Sequence, residues 1–150
     1  MRTHISRSKE PPTCVVKTSN EDHKFFKPMG FWYSVDGDWE RFCASEALDW
    51  AQGATYDVVL GKEKILFIAT IEQLDAFHEK YSAKNAGRWS TAFIKWDRVA
   101  HEYDGIEIAP YQWKRRLDGV VSDWYYSWDC ASGCIWNPKG VQILLKEPAP

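Results

Sequence analysis

The alternation of apolar and polar positions divides the chain into short segments. Residues 1–12, MRTHISRSKEPP, are polar and close on two prolines, which predicts a flexible arm, with order starting at Thr13. TCVVKTS then reads as a strand and SNEDHKFFKPM as a charged loop. Gly30 opens GFWYSV, a run of β-forming residues where a residue without a Cβ lets the backbone turn. Turn residues follow, and Asp38 is placed to cap a helix over DWERFCASEALDW, in which Trp39, Phe42, Cys43 and Leu48 fall near helical spacing. TYDVVLG and EKILFIAT predict two buried strands, and the Thr70 hydroxyl can cap the helix IEQLDAFHEKY. A further helix is expected from Ser90 or Thr91 through FIKWDRVAHEY.

The remaining third is richer in turn signals. YDGIEIAPYQW predicts a turn, a short strand and a stop at proline, with Ile106 and Ile108 pointing one way and Glu107 the other. KRRL with Asp118 and Gly119 is a basic loop. DWYYSWDCASGCIWNPKGVQILL predicts two strands divided near Asn137-Pro138. The sum is an α+β domain over residues 13–150, with about six or seven short strands and three helices.

Composition narrows the chemistry. The 19 basic and 21 acidic residues of this 150-residue chain leave a net charge of −2, so no global field holds nucleic acid or an anionic membrane, although a local basic patch remains open. Nine tryptophans serve either a Trp-heavy core or a pocket for a flat ligand. Cys14, Cys43, Cys130 and Cys134 form no C-x-x-C pair, and no histidine stands at metal-ligand spacing from them, so no metal site is expected. With neither a signal peptide nor eighteen consecutive apolar residues, a cytoplasmic location with free thiols is the expectation. No P-loop, nucleophile elbow or dinucleotide fingerprint occurs. Cys130 or Cys134 with His101 could form a nucleophile and base.

Three segments, VKTS, GFWYS followed at once by a helix, and IWNPKGV, occur in an order that resembles the ADP-ribosyltransferase superfamily. YDGIEI is similar to that family's Tyr-Asp-Gly-Ile strand. The resemblance spans most of residues 13–145. It implies two small packed antiparallel or mixed sheets forming a cleft for NAD, and transfer of ADP-ribose to a protein or nucleic-acid acceptor. Tyr33 would stack on nicotinamide, and Ser34 and Thr18 would position the ribose. Lys17 stands where the family usually has His or Arg, and Gly30, Trp32 and Ser132 complete the NAD-binding set.

The family's catalytic glutamate falls here on Ser132 or Gly133. Asp129 is the candidate to stabilise the positive charge that develops as nicotinamide leaves, and Glu107 is a second carboxylate on a neighbouring strand. The same residues have plainer readings: Asp129 as part of a turn, Glu107 as the solvent-facing residue of an edge strand, and KRRL as a solvated loop rather than a phosphate site at Arg115 and Arg116. Of Trp32 and Tyr33, one should face the core and one the cleft, and the resemblance assigns the cleft to Tyr33. Two other functions fit the pattern: a non-catalytic module that recognises a nucleotide or protein through its aromatic face, and a small bacterial or phage effector acting only by protein contact.

Overall fold

The computed structural model describes residues 1–8, 10–17, 24–46, 48–84, 92–117 and 122–146. Ten strands form two sheets: β1 (Arg2–Ser6), β2 (Lys24–Phe25), β3 (Phe31–Val35), β4 (Ala54–Val59), β5 (Ile65–Ile68), β6 (Ser82–Lys84), β7 (Ala92–Lys95), β8 (Gly105–Ile108), β9 (Ser132–Ile135) and β10 (Gln142–Leu145). The larger sheet has seven strands in the order β10-β4-β1-β3-β9-β8-β5, and the smaller has three in the order β2-β7-β6. Among the described residues only β5 and β8 pair in parallel, which their long connection allows, and the other pairings are antiparallel. The helices are α1 (Asp38–Glu46), α2 (Ile71–Tyr81), α3 (Trp96–Glu102) and the single turns α4 (Trp113–Arg116) and α5 (Ser122–Tyr125), with a 3-10 segment at Leu48–Ala51. The architecture is α+β, and no helix among the described residues is long and apolar enough to cross a membrane.

The first departure from the expected layout is the amino terminus. Arg2–Ser6 is not an arm but an inner strand, paired with β3 on one side and β4 on the other. Of the strand expected over residues 13–19, residues 18 and 19 lie outside the described set and residues 13–17 hold no regular element; the Lys17 N–H donates to the Trp136 carbonyl. The expected helix beginning at Ser90 or Thr91 is also different. Both residues lie outside the described set, and Ala92–Lys95 is a strand, with α3 starting only at Trp96. The turn near Asn137-Pro138 does separate two strands, and Thr70 does cap α2, its hydroxyl accepting from the Gln73 N–H at 3.2 Å in a capping box. At α1 the cap is Ser34, whose hydroxyl accepts from the Trp39 N–H at 3.0 Å; Asp38 instead accepts from the Ala131 N–H at 2.7 Å.

One apolar cluster spans the described residues. Its centre is aromatic: the Phe77 ring of α2 lies 5.4 Å from Trp124 and 5.9 Å from Trp96, Trp124 contacts Trp128 edge-on, and Trp96 contacts Trp136. Among the described residues Trp96, Trp124, Trp128 and Trp136 are therefore core, each buried ring removing a large area from water, while Trp32, Trp39, Trp50 and Trp113 are not.

Asp104 fastens the strand ends of this sheet. Its carboxylate accepts from the Lys64 N–H at 2.8 Å, the Asn137 amide at 2.7 Å and the Lys139 ammonium at 2.8 Å, and its carbonyl accepts from the Trp136 and Asn137 N–H groups. Burial works to raise the carboxyl pKa, but Lys139, the Lys64 amide and Asn137 outweigh it and hold the carboxyl below its ordinary value. A depressed folded-state pKa stabilises the fold above the ordinary carboxyl value, near pH 4, and the contribution is lost as pH falls through the depressed value. Urea denaturation should accordingly show Asp104→Ala less stable than wild type by roughly 2–3 kcal/mol at neutral pH, with the difference shrinking as the solution is acidified.

Candidate functional site

The pleat of β3 decides where its side chains go. In register, Tyr33 pairs with Gly133 on β9, Gly133 with Glu107 on β8, and Glu107 with Phe67 on β5, so these positions share one face of the sheet. Trp32 and Ser34 take the opposite face. Tyr33 is 2% exposed and its hydroxyl donates to Glu107 at 2.9 Å. Glu107 also accepts two bonds from the Arg2 guanidinium, at 2.6 and 3.2 Å, which places the charge pair in a side-on fork. Burial, followed by the Glu107 charge, pushes the Tyr33 phenol far above its ordinary pKa. Glu107 is therefore neither on an edge strand nor solvent-facing: β8 lies between β9 and β5, and its carboxylate is buried.

On the opposite face a pocket of about 290 Å³ opens beside Trp32. Trp39 of α1 and Trp50 of the 3-10 segment form one wall, their rings stacked at 6.0 Å and 22°. Trp32 forms another and is braced edge-on by Trp128 at 4.9 Å. The Lys27 ammonium lies 5.4 Å from the Trp32 ring centroid. Burial depresses the Lys27 pKa, and the nearby Asp129 carboxylate opposes that shift. Asp129, Cys130 and Ser132 line the pocket from the turn before β9, and Asp129 lies 3.7 Å from Arg116.

Trp32, Tyr33, Ser34, Asp129 and Ser132 all border this one pocket, although the two segments lie far apart in sequence. The roles within the group change. Trp32, not Tyr33, presents a ring to the pocket; Tyr33 borders it with a buried ring whose hydroxyl is committed to Glu107. The Ser34 hydroxyl meets the Trp39 N–H and Glu40, and the Ser132 hydroxyl donates to the Cys130 carbonyl, so both shape the wall. Lys17 is exposed and does not line the pocket, and Thr18 lies outside the described residues. Gly30 does not line it either. A Cβ at Gly30 would fall 2.5 Å from the Ile135 carbonyl oxygen, so that glycine serves close packing of β3 against β9 rather than a turn.

His4, Ile5, Lys27, Trp39 and Trp50 line the pocket without having been singled out from sequence. Lys27 and the tryptophans carry a composition signal; His4 and Ile5 were hidden in the apparent arm. The thiol alternative weakens. Burial, then Asp38 and Asp129, push Cys130 up to about 12, and burial raises Cys134 well above its ordinary value. His101 is exposed on α3 beside Asp97 and Arg98, in a separate hollow. Among the described residues no cluster of His, Cys, Asp and Glu is arranged to hold a metal ion.

A second hollow, about 560 Å³, opens at the strand ends beyond Val35 and Ala131, between Arg2, Arg41, Tyr111 and Trp113. Arg116 joins the two: it donates to the Tyr111 hydroxyl at 3.0 Å on this side and faces Asp129 on the other. Comparison of the chain with protein-family models, with curated proteins and with solved structures found no match.

The Tyr33–Gly133 crossing has a direct consequence for stability. A Cβ at Gly133 would lie 2.3 Å from the Tyr33 ring. Tyr33→Phe, which keeps the ring and removes one donor from Glu107, should cost about 1–2 kcal/mol in urea denaturation. Gly133→Ala should cost more than Tyr33→Phe, because a rigid, buried ring has to move. Equal stability of Gly133→Ala and wild type would contradict this packing.

Proposed function

We propose that the Trp32 pocket binds the nicotinamide end of NAD and that the protein is an ADP-ribosyltransferase-like domain. The observation that carries the reading is convergence: Trp32, Ser34, Asp129 and Ser132, drawn from the GFWYS segment and the turn before the last hairpin, border one aromatic pocket. At about 290 Å³ the space suits a ring with part of its ribose rather than a whole dinucleotide. The nicotinamide ring stacks between Trp32 and Trp39, an arrangement open to any flat heteroaromatic face. Lys27 supplies positive charge at the mouth for the adjoining phosphates.

Asp129 is the carboxylate in the pocket. When the nicotinamide–ribose C–N bond breaks, its electron pair leaves with the nicotinamide nitrogen and positive charge develops on the ribose. A carboxylate fixed beside that ring stabilises the charge as it forms. The acceptor's lone pair then makes the new bond to the ribose carbon, and the acceptor's proton passes to Asp129 or to water. Tyr33 has no part in the chemistry on this reading; it holds the strand that presents Trp32.

A second reading, a pocket that binds NAD without cleaving it, is favoured by the state of the two carboxylates. Glu107 is occupied by Arg2 and Tyr33, and Asp129 faces Arg116. Two measurements on the same samples separate the readings: nicotinamide release, and the rise in melting temperature with NAD. At NAD concentrations near 100 times the dissociation constant, stabilisation should reach about 2.7 kcal/mol. Trp32→Ala and Trp39→Ala should reduce both signals, by about tenfold or more in affinity. Asp129→Asn should abolish release and keep the thermal shift. A thermal shift without release in wild type assigns the non-catalytic reading, and absence of both signals overturns NAD binding.

A further inference from the structure

The surface next to the pocket points to the acceptor. We propose that the α4 face is a binding platform for single-stranded nucleic acid, and that it delivers a nucleotide to the Asp129 side of the pocket; the delivery step rests on the NAD reading above, the platform does not. Trp113 is 67% exposed and Tyr126 53% exposed, which sets these large rings apart from the fully buried Trp96, Trp124 and Trp128 of the core. Both flank one guanidinium: Arg116 lies 5.0 Å from the Tyr126 ring and 5.9 Å from the Trp113 ring. Tyr111 meets Trp113 edge-on at 4.7 Å, which fixes the indole plane from behind. Lys114 is exposed on the same turn as Trp113 and Arg116.

Aromatic faces set around basic groups are what an unpaired strand needs, because bases stack on the rings while phosphates meet the cations. The adjoining 560 Å³ hollow supports a base rather than a charged protein side chain as its occupant. Its guanidiniums are already matched, Arg2 to Glu107 and Arg41 to Asp38, so it offers polar edges without a net charge to recruit an ion. Duplex does not fit the same surface, since its bases are stacked on each other and unavailable to Trp113 and Tyr126. Arg116 then links platform to pocket, with its aromatic contacts on one side and Asp129 at 3.7 Å on the other.

With a net charge of −2, binding must come mainly from stacking and few phosphate contacts. One such contact, at Lys114, with Arg116 already facing Asp129, predicts a shallow salt dependence, with affinity falling roughly threefold between about 50 and 200 mM salt. The test is fluorescence anisotropy of fluorescein-labelled oligothymidine and oligouridine of about 15 nucleotides, without NAD, with unlabelled duplex as competitor. Trp113→Ala and Tyr126→Ala should each weaken binding by about tenfold or more, and Lys114→Glu should weaken it at low salt, all with unchanged circular dichroism. Leu144→Ala, on the exposed edge strand β10, should bind oligonucleotide as wild type does. The platform is overturned if wild type binds neither oligonucleotide at about 50 mM salt, if duplex competes equally, or if the Trp113 and Tyr126 variants bind normally. A parallel incubation with NAD, read as the mass of the oligonucleotide, tests delivery: added ADP-ribose supports it, and unmodified oligonucleotide bound by the platform overturns delivery while leaving the platform standing.

Discussion

Tyr33 crosses the space that a side chain on Gly133 would fill, and its hydroxyl ends on Glu107, which Arg2 holds from the other side. Through that crossing β1, β3, β9 and β8 are tied on one face of the sheet. Charge is buried there at a cost, so the arrangement is stable only because three donor hydrogens from Tyr33 and Arg2 converge on one carboxylate. With Tyr33 committed inward, the two-residue period of β3 leaves Trp32 and Ser34 no choice but the opposite face. The candidate site follows from that choice.

The pocket is made of parts that do little alone. Trp32 comes from the sheet, Trp39 and Trp50 from α1 and the segment after it, and Asp129 and Ser132 from the turn that leads into β9. Ser34 contributes by capping α1 through the Trp39 N–H, and Asp38 by holding the Ala131 N–H. The same two bonds therefore position both walls. The pocket so formed combines ring faces from Trp32, Trp39 and Trp50 with one ammonium, Lys27, and one carboxylate, Asp129, the features on which the proposed NAD binding rests. Free thiols contribute nothing comparable, since burial holds Cys130 and Cys134 in the protonated form.

Elements whose signals are local were readable in advance. The Thr70 cap, the Asn137-Pro138 turn, the GFWYSV strand and the α+β class rest on residues within a few positions of one another. β1 was not readable, because RTHIS has polar residues on both faces, and only distant partners, Glu107 for Arg2 and Glu40 for Thr3, explain them. The Ala92–Lys95 segment reads as helix by spacing and becomes strand through pairing with β6 and β2. The same applies to the pocket: Trp32, Tyr33, Ser34, Asp129 and Ser132 come together there while Lys17 and Gly30 lie off it, and which of Trp32 and Tyr33 presents its ring depends on Gly133 and Glu107, far along the chain.

The central claim is that Trp32, Trp39 and Trp50 meet a flat ligand while the buried indoles serve the core. Each indole N–H gives its own signal in a ¹⁵N–¹H correlation spectrum, assignable by single Trp→Phe replacements, and titration with NAD reads all of them at once. The account predicts shifts concentrated on Trp32, Trp39 and Trp50, with Trp96, Trp124 and Trp136 unmoved. Shifts concentrated on those buried indoles, or no shift at saturating NAD, would contradict it.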